Sequence, residues 1–420
     1  MPEDNVVHLP TPPIPPPAPG RKLSSWVAGF LELTDGIQSP EIFRKWAAIT
    51  AIAGALEQKI WIRSQKEILY PNLYTFLVGP SGSGKTRALR ACNNLWQELR
   101  ESHYVAPIKL SKSSLIDVLA KAVRVIRGTE QFNSLLIAAG ELGVLLPGYD
   151  SDFMNALTYI YDREKYDEQF RNVHKGEPLV IEKPQINLLA CCTPSFLTEL
   201  MPAGAWEQGF LSRVIIVYSG HTDIQPLDLL GDETQKSNPL AAALAHDIRK
   251  IGSEDNYRRL QFTRGAADTI EHWHINRHGA PDHPRLVNYG SRRTTHLLKL
   301  SMIAALDHSD AEVITAEDVS CAQNWLAEAE TYMPDIFKAM ASGGDAQITM
   351  ELHHYILEYN TRKGQPVPSQ QVFSWLRVRA PSNSHMDIVN LMIRSGMIEA
   401  VTSGGVVAYF ARDHDKGDSL

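Results

Sequence analysis

The chain of 420 residues is 44% hydrophobic and 21% charged, an ordinary composition for a globular protein of two or three domains with a large core. Its net charge of −7 excludes a global attraction to nucleic acid or to an anionic membrane, so any contact with a polyanion must come from local basic loops. The four cysteines, Cys92, Cys191, Cys192 and Cys321, have neither metal-ligand spacing nor the density of a secreted disulfide framework; with no signal peptide and no apolar run of membrane length, a cytoplasmic protein with reduced thiols and no membrane contact is expected.

Residues 1–22 include TPPIPPPAPGRK, a proline-rich run that reads as a disordered or polyproline leader. From Ser24 to Arg63 two segments have helical spacing. The second starts at Ser39-Pro40-Glu41 and places Phe43, Trp46, Ile49, Ile52 and Leu56 on one face, which predicts packing on the core that follows. Leu73–Val78 has the length and composition of a buried strand. It leads directly into Gly79-Pro80-Ser81-Gly82-Ser83-Gly84-Lys85-Thr86 and then into a helix expected over Arg87 to about His103. Strand, glycine-rich loop and helix in this order, with the spacing GxxxxGK[ST], make a phosphate-binding loop. The glycines let backbone N–H groups turn inward around a polyphosphate, and the helix points its positive N-terminus at the same charge. Lys85 is expected to reach the β and γ phosphates and Thr86 to ligate Mg²⁺, with the stretch through Arg87 assigned to the nucleotide.

Further along, a short strand is expected at Ala106–Leu110 and a helical pattern over SKSSLIDVLAKAVRVIRG, capped within Ser111 to Ser114. Leu135–Ala139, Ile186–Ala190 and Val214–Tyr218 read as the second, third and fourth buried strands. Strands alternating with helices around a phosphate loop predict an α/β fold with a parallel sheet, here over residues 23–222. Residues 223–341 read as a helical lid, and Ala341–Gln347 as a hinge. Over 346–413, three helical patterns and a hairpin turning at Ser403-Gly404-Gly405 predict a winged-helix-like domain, followed by a tail at 414–420. Its candidate recognition helix, Ser384 to Ser395, carries His385 and Arg394, with Arg377 and Arg379 on the helix before; the charge is sparse, and protein docking competes with DNA binding there.

Three positions carry the remaining chemistry. Glu141 ends the second strand, where a water-polarising glutamate belongs, while Gly140 stands where an aspartate is usual and removes one anchor for Mg²⁺. Thr193, just past the third strand, is placed to hydrogen-bond an attacking water or the γ phosphate, with Asn187 a weaker candidate for that task. Arg213 precedes the fourth strand, the type of arginine that a ring neighbour inserts into the next subunit's site.

Taken together, GPSGSGKT, the strand ending at Glu141, LLACCTP, GFLSRVI and SRRTTHLLKLSMIAA resemble a AAA+ P-loop ATPase over about Ser24 to Ala341. More closely, they are similar to phage and prophage replication ATPases known as helicase- or primase-associated proteins, with a more distant likeness to minichromosome-maintenance helicases. The resemblance implies that Thr193 is sensor 1, and that the lid carries a sensor 2 arginine, Arg292 by spacing, with Arg293 beside it. It also implies a hairpin before sensor 1 that lines a central pore. Lys175-Gly176 would be its tip and Arg171, His174 and Lys175 its phosphate contacts; the rival reading is an ordinary exposed hairpin. The expected activity is that of an ATP- and Mg²⁺-dependent helicase or translocase, working on single-stranded DNA as a homo-oligomeric ring, a hexamer, with other replication proteins. The alternative is an ATP-dependent switch or helicase loader that binds DNA and partners without unwinding. A third and weaker reading is a small-molecule P-loop kinase, against which the lid, the LSR element and the C-terminal unit argue.

Overall fold

The computed structural model describes residues 17–64, 67–107, 110, 112–146, 148–163, 165–168, 179–201, 206, 209–221, 238–276, 279–281, 283–310, 312–341, 347–380, 385–403 and 406–412. The chain divides into two compact units, residues 1–334 and 335–420.

The first unit opens with α1 (Trp26–Leu33) and α2 (Glu41–Leu56), followed by β1 (Ile60–Ser64), β2 (Glu67–Leu69) and β3 (Tyr74–Val78). Next come α3 (Lys85–Gln97), α4 (Lys112–Lys121), β4 (Val123–Ile126), β5 (Glu130–Ala139), α5 (Leu142–Leu145) and α6 (Ser151–Tyr161). Beyond them lie β6 (Tyr166–Glu168), β7 (Leu179–Ile181), β8 (Pro184–Cys192), α7 (Pro194–Leu200) and β9 (Val214–Tyr218). The helical part has α8 (Pro239–Ile251), β10 (Arg258–Arg259), β11 (Gln261–Phe262), α9 (Arg264–Asn276), α10 (Val287–His308), β12 (Val313–Ile314) and α11 (Ala316–Ala341).

Five strands form the central sheet in the order β4-β5-β8-β3-β9, with β5, β8, β3 and β9 mutually parallel. Every residue of β3 and β8 is buried, as expected of central strands covered on both faces, and both are mainly apolar, with Thr75, Gln185 and Asn187 buried among them. Helix α2 buries almost its whole length. At Gly54 the approach of α3 is so close that an added Cβ would lie 2.7 Å from the Trp96 indole nitrogen, which itself donates to the Ala51 carbonyl at 3.2 Å. Only glycine permits that contact.

Three expectations need correction. The helical pattern from Ser111 ends at Lys121, and Val123–Ile126 instead pairs antiparallel with β5 as an edge strand. Alternation of exposed Val123 and Val125 with inward Ile126, and a turn with left-handed φ at Arg127 (50°) and Gly128 (71°), favour the hairpin over another helical turn. The strand expected at Ala106–Leu110 is reduced to a single parallel bridge between Val105 and Leu136, with 108–109 outside the described residues. In addition, α3 ends at Gln97, short of His103.

The second unit contains α12 (Gln347–Lys363), β13 (Val367–Pro368), α13 (Ser369–Arg377), α14 (His385–Arg394), β14 (Ile398–Ser403) and β15 (Val406–Ala411). Its strands pair antiparallel in the order β13-β15-β14. Leu352, Ile356, Val372, Leu376, Ile388 and Met392 make its core with Ile398 and Tyr409. Among the described residues no helix is long and apolar enough to cross a membrane.

Candidate functional site

The loop between β3 and α3 is shaped by two glycines in the left-handed region, Gly82 (φ 81°) and Gly84 (φ 82°). Around Gly82 there is open space. At Gly84, by contrast, an added Cβ would meet the Gln38 carbonyl oxygen at 2.1 Å and Ser39 Cα at 2.6 Å, so the turn before α2 fixes the loop from outside. Lys85 begins α3. Its ammonium donates to the carbonyls of Gly79 (2.8 Å) and Pro80 (2.7 Å) and to Ser83 Oγ (3.2 Å). Burial pushes the Lys85 pKa below the ordinary lysine value. Pro80, Ser81, Gly82, Thr86 and Arg87 are exposed at the mouth of the loop, and Ser83 is buried beneath it.

A cleft of about 420 Å³ opens over this loop, lined by Lys85, Thr86, Gly140, Glu141, Thr193 and Phe196 among others. The sheet order explains the convergence. Strand β8 lies between β3 and β5, and since all three run parallel, the residues after their C-terminal ends emerge side by side. Glu141 is extended (φ −137°, ψ 120°), exposed, and makes no side-chain bond to the helix that it precedes. Thr193 caps α7, with Oγ1 accepting from the Phe196 N–H at 3.3 Å and lying 3.1 Å from Ser195 Oγ. The threonine therefore has a structural task as well as a place in the cleft. At Gly140, φ is not left-handed, and an added Cβ would have only Thr86 Cγ2 near it, at 3.9 Å. A side chain would fit there.

Burial raises the thiols of Cys191 and Cys192 to about 12, so both stay protonated and inert beneath the cleft. Among the described residues no group of three or more His, Cys, Asp or Glu side chains could hold a metal unaided. The exposed Thr86 hydroxyl and the Glu141 carboxylate in one cleft do suit Mg²⁺, a cation that keeps several waters and takes ligands from a substrate's phosphates.

The arginines lie elsewhere. Val214 pairs with Tyr74 and Tyr218 with Val78, so Arg213, just before β9, sits at the opposite end of the strands, roughly one strand length or 15 Å from the loop. Arg213 is 7% exposed. Its Nε donates to Asp162 Oδ2 at 3.0 Å, Nη2 bonds the same oxygen, and Nη1 donates to the Gly209 carbonyl at 2.6 Å. Arg292, on α10, donates to Asp162 Oδ1 at 3.2 Å and remains one-third exposed. Arg293 is buried: its guanidinium grips Glu330 with two bonds of 2.6 Å and stacks 4.2 Å over Trp273. Of these two arginines of α10, then, Arg292 is the more open to a ligand. Asn187 is fully buried and accepts the Leu73 N–H at 3.0 Å, tying β8 to the root of β3 and away from the cleft. Arg171, His174 and Lys175 lie outside the described residues, although β6 and β7 on either side of them form an antiparallel pair.

Sequence reasoning missed Asp162 and Lys299. Both border a second cavity of about 460 Å³ with Tyr70, Asn72, Arg163 and Arg292. Lys299 is buried, donates to the Asn72 carbonyl (3.1 Å) and side-chain oxygen (2.7 Å), and sits 3.9 Å over the Tyr161 ring. Burial pushes its pKa down to about 7, with Asp162 opposing and Arg292 and Arg213 adding to the shift. The available signal was a lysine on the apolar face of α10, seven residues after Arg292. No protein-family model matches the chain, and no curated protein matches its sequence.

Proposed function

We propose that the protein is an ATPase of the AAA+ type whose complete site forms between two copies of the chain, acting as a helicase or translocase on DNA. The observation that carries this reading is the division of labour across the sheet. Lys85, Thr86, Glu141 and Thr193 share one cleft, while Arg213 and Arg292 are held on Asp162 at the opposite end of the strands, where they cannot serve the same nucleotide. A ring of identical copies in head-to-tail contact brings those two ends together. In that arrangement Lys85 and the loop N–H groups hold the phosphates, Thr86 contributes a ligand to Mg²⁺, and Glu141 takes the proton of the attacking water. Mg²⁺, when bound, neutralises charge between the β and γ phosphates. Arg213 and Arg292 of the adjoining copy stabilise the charge that develops on the transferred group.

A second reading, a switch or loader without unwinding, is favoured by two observations. Gly140 leaves the space beside Thr86 without a carboxylate. The outer face of α14 exposes Met386, Leu391 and Ile393 with one charge of each sign, Asp387 and Arg394, which suits a protein partner better than a phosphate backbone. The three helices and antiparallel sheet of the second unit nonetheless support reading it as a winged helix. Turnover assays with and without single-stranded DNA, alongside strand displacement, separate the readings. The motor account predicts DNA-stimulated hydrolysis, lost in Lys85→Ala, together with displacement of an annealed strand; hydrolysis without any displacement supports the switch.

A further inference from the structure

We propose that Asp162 is a releasable holder for Arg213 and Arg292, occupying within one chain the position that the phosphate of an adjoining copy's nucleotide takes in the assembled site. This inference rests on the shared-site reading above.

Asp162 follows the last residue of α6, and its carboxylate accepts from both arginines at once: Arg213 through Nε and Nη2, and Arg292 through Nη1. A carboxylate and a phosphate present the same pair of oxygens to a guanidinium fork, so they compete for it. Arg213 is also held from behind. Its Nη1 is bonded to the Gly209 carbonyl, and a Cβ on Gly209 would come within 2.8 Å of that nitrogen, so this glycine leaves room for the stowed guanidinium. An arginine that is 7% exposed, with one edge on a carboxylate and the other on a carbonyl, is not presented to a neighbour. It has to exchange Asp162 for the incoming phosphate.

The surroundings make the exchange reversible. Asp162 is itself about one-quarter exposed, so the pair stands at the surface and is open to competition. With Arg213, Arg292 and Lys299 around it, Asp162 is the carboxylate that Lys299 feels most strongly, and an arriving phosphate restores the negative charge that the arginines withdraw from Asp162. The acid is also anchored to the nucleotide strand. The ring of Tyr161, its chain neighbour, packs 5.0 Å from that of Tyr74 in β3, and the Tyr161 carbonyl accepts from Asn72 at 3.0 Å. On its other side the chain continues into β6 within four residues. Release of Asp162 therefore takes place beside the root of β3, which packs on Tyr161, and four residues before β6.

The test is steady-state turnover as a function of protein and ATP concentration for the full chain, for Asp162→Asn and Asp162→Glu, and for Asp162→Asn combined with Arg213→Ala. Asp162→Asn is expected to lower the protein concentration for half-maximal turnover at least threefold without lowering kcat, while Asp162→Glu, which keeps the charge, behaves as the parent. The combined variant is expected to be as inactive as Arg213→Ala alone. A fall in kcat with an unchanged concentration dependence overturns the proposal, because Asp162 then aligns the arginines for catalysis. A gain that persists in the Arg213→Ala background overturns it as well. Should Arg213→Ala by itself retain parental turnover, the shared-site reading fails and the holder with it, an outcome distinct from the other two. If Asp162→Asn does not fold, Asp162→Ser carries the same expectations.

Discussion

Adjacent arginines on α10 have opposite fates. Arg293 is buried against Glu330, whose second partner is the Tyr289 hydroxyl at 3.0 Å, whereas Arg292 reaches a partly exposed carboxylate. Removing one partner of a buried pair leaves the other charged in a low dielectric, which costs about 3–5 kcal/mol, while an exposed pair contributes under about 1 kcal/mol. Arg293→Ala should therefore lower the unfolding free energy by about 3–5 kcal/mol. Arg292→Ala should leave the denaturation midpoint nearly unchanged and reduce turnover. Chemical denaturation paired with an ATPase assay checks both, and equal stability losses in the two variants contradict the assignment. Spacing alone set the two arginines just before a helix, whereas α10 begins at Val287 and contains both. Which of them is buried depends on Glu330 and Trp273, one far along α11 and the other on α9, and no local pattern announces those partners.

At the scale of elements, the strands and the loop were legible because each is specified locally. Val214–Tyr218 coincides with β9, and β3 differs from its expected range by one residue, since a strand covered on both faces tends to be a nearly continuous apolar run. The hairpin of β4 and β5 was not legible: Lys121 to Ile126 continues an apolar pattern, and its assignment is decided by pairing with a strand whose register emerges only in the fold. The glycine-rich loop between β3 and α3 was legible as a motif, but its support was not. Gly82 and Gly84 look equivalent in sequence, yet only Gly84 is pressed against Gln38 and Ser39. Gly82→Ala should cost roughly 1–2 kcal/mol, the ordinary penalty of a left-handed L-residue. Gly84→Ala should cost clearly more and move the turn before α2, readable as a larger drop in denaturation midpoint together with weaker nucleotide binding. Equal effects would mean that the turn does not brace the loop.

For the whole molecule, the parallel register of β3, β8 and β9 determines what one chain can do. It gathers Lys85, Thr86, Glu141 and Thr193 at one end of the sheet and leaves Arg213 and Arg292 at the other. The members of the cleft were visible in the sequence because each follows a recognisable strand. The pairing of Arg213 and Arg292 through Asp162 was not, since it joins residues that are 51 and 130 positions from that acid. The proposed shared site takes its two halves from two copies, and the most direct measurement is complementation. Lys85→Ala and Arg213→Ala are each assayed alone and then mixed in equal amounts before assembly. If every active site takes Lys85 from one chain and Arg213 from the next, random mixing makes roughly a quarter of the interfaces complete, and turnover returns to about that fraction of the parent. A mixture no more active than its components, or an Arg213→Ala variant that is fully active alone, contradicts the account.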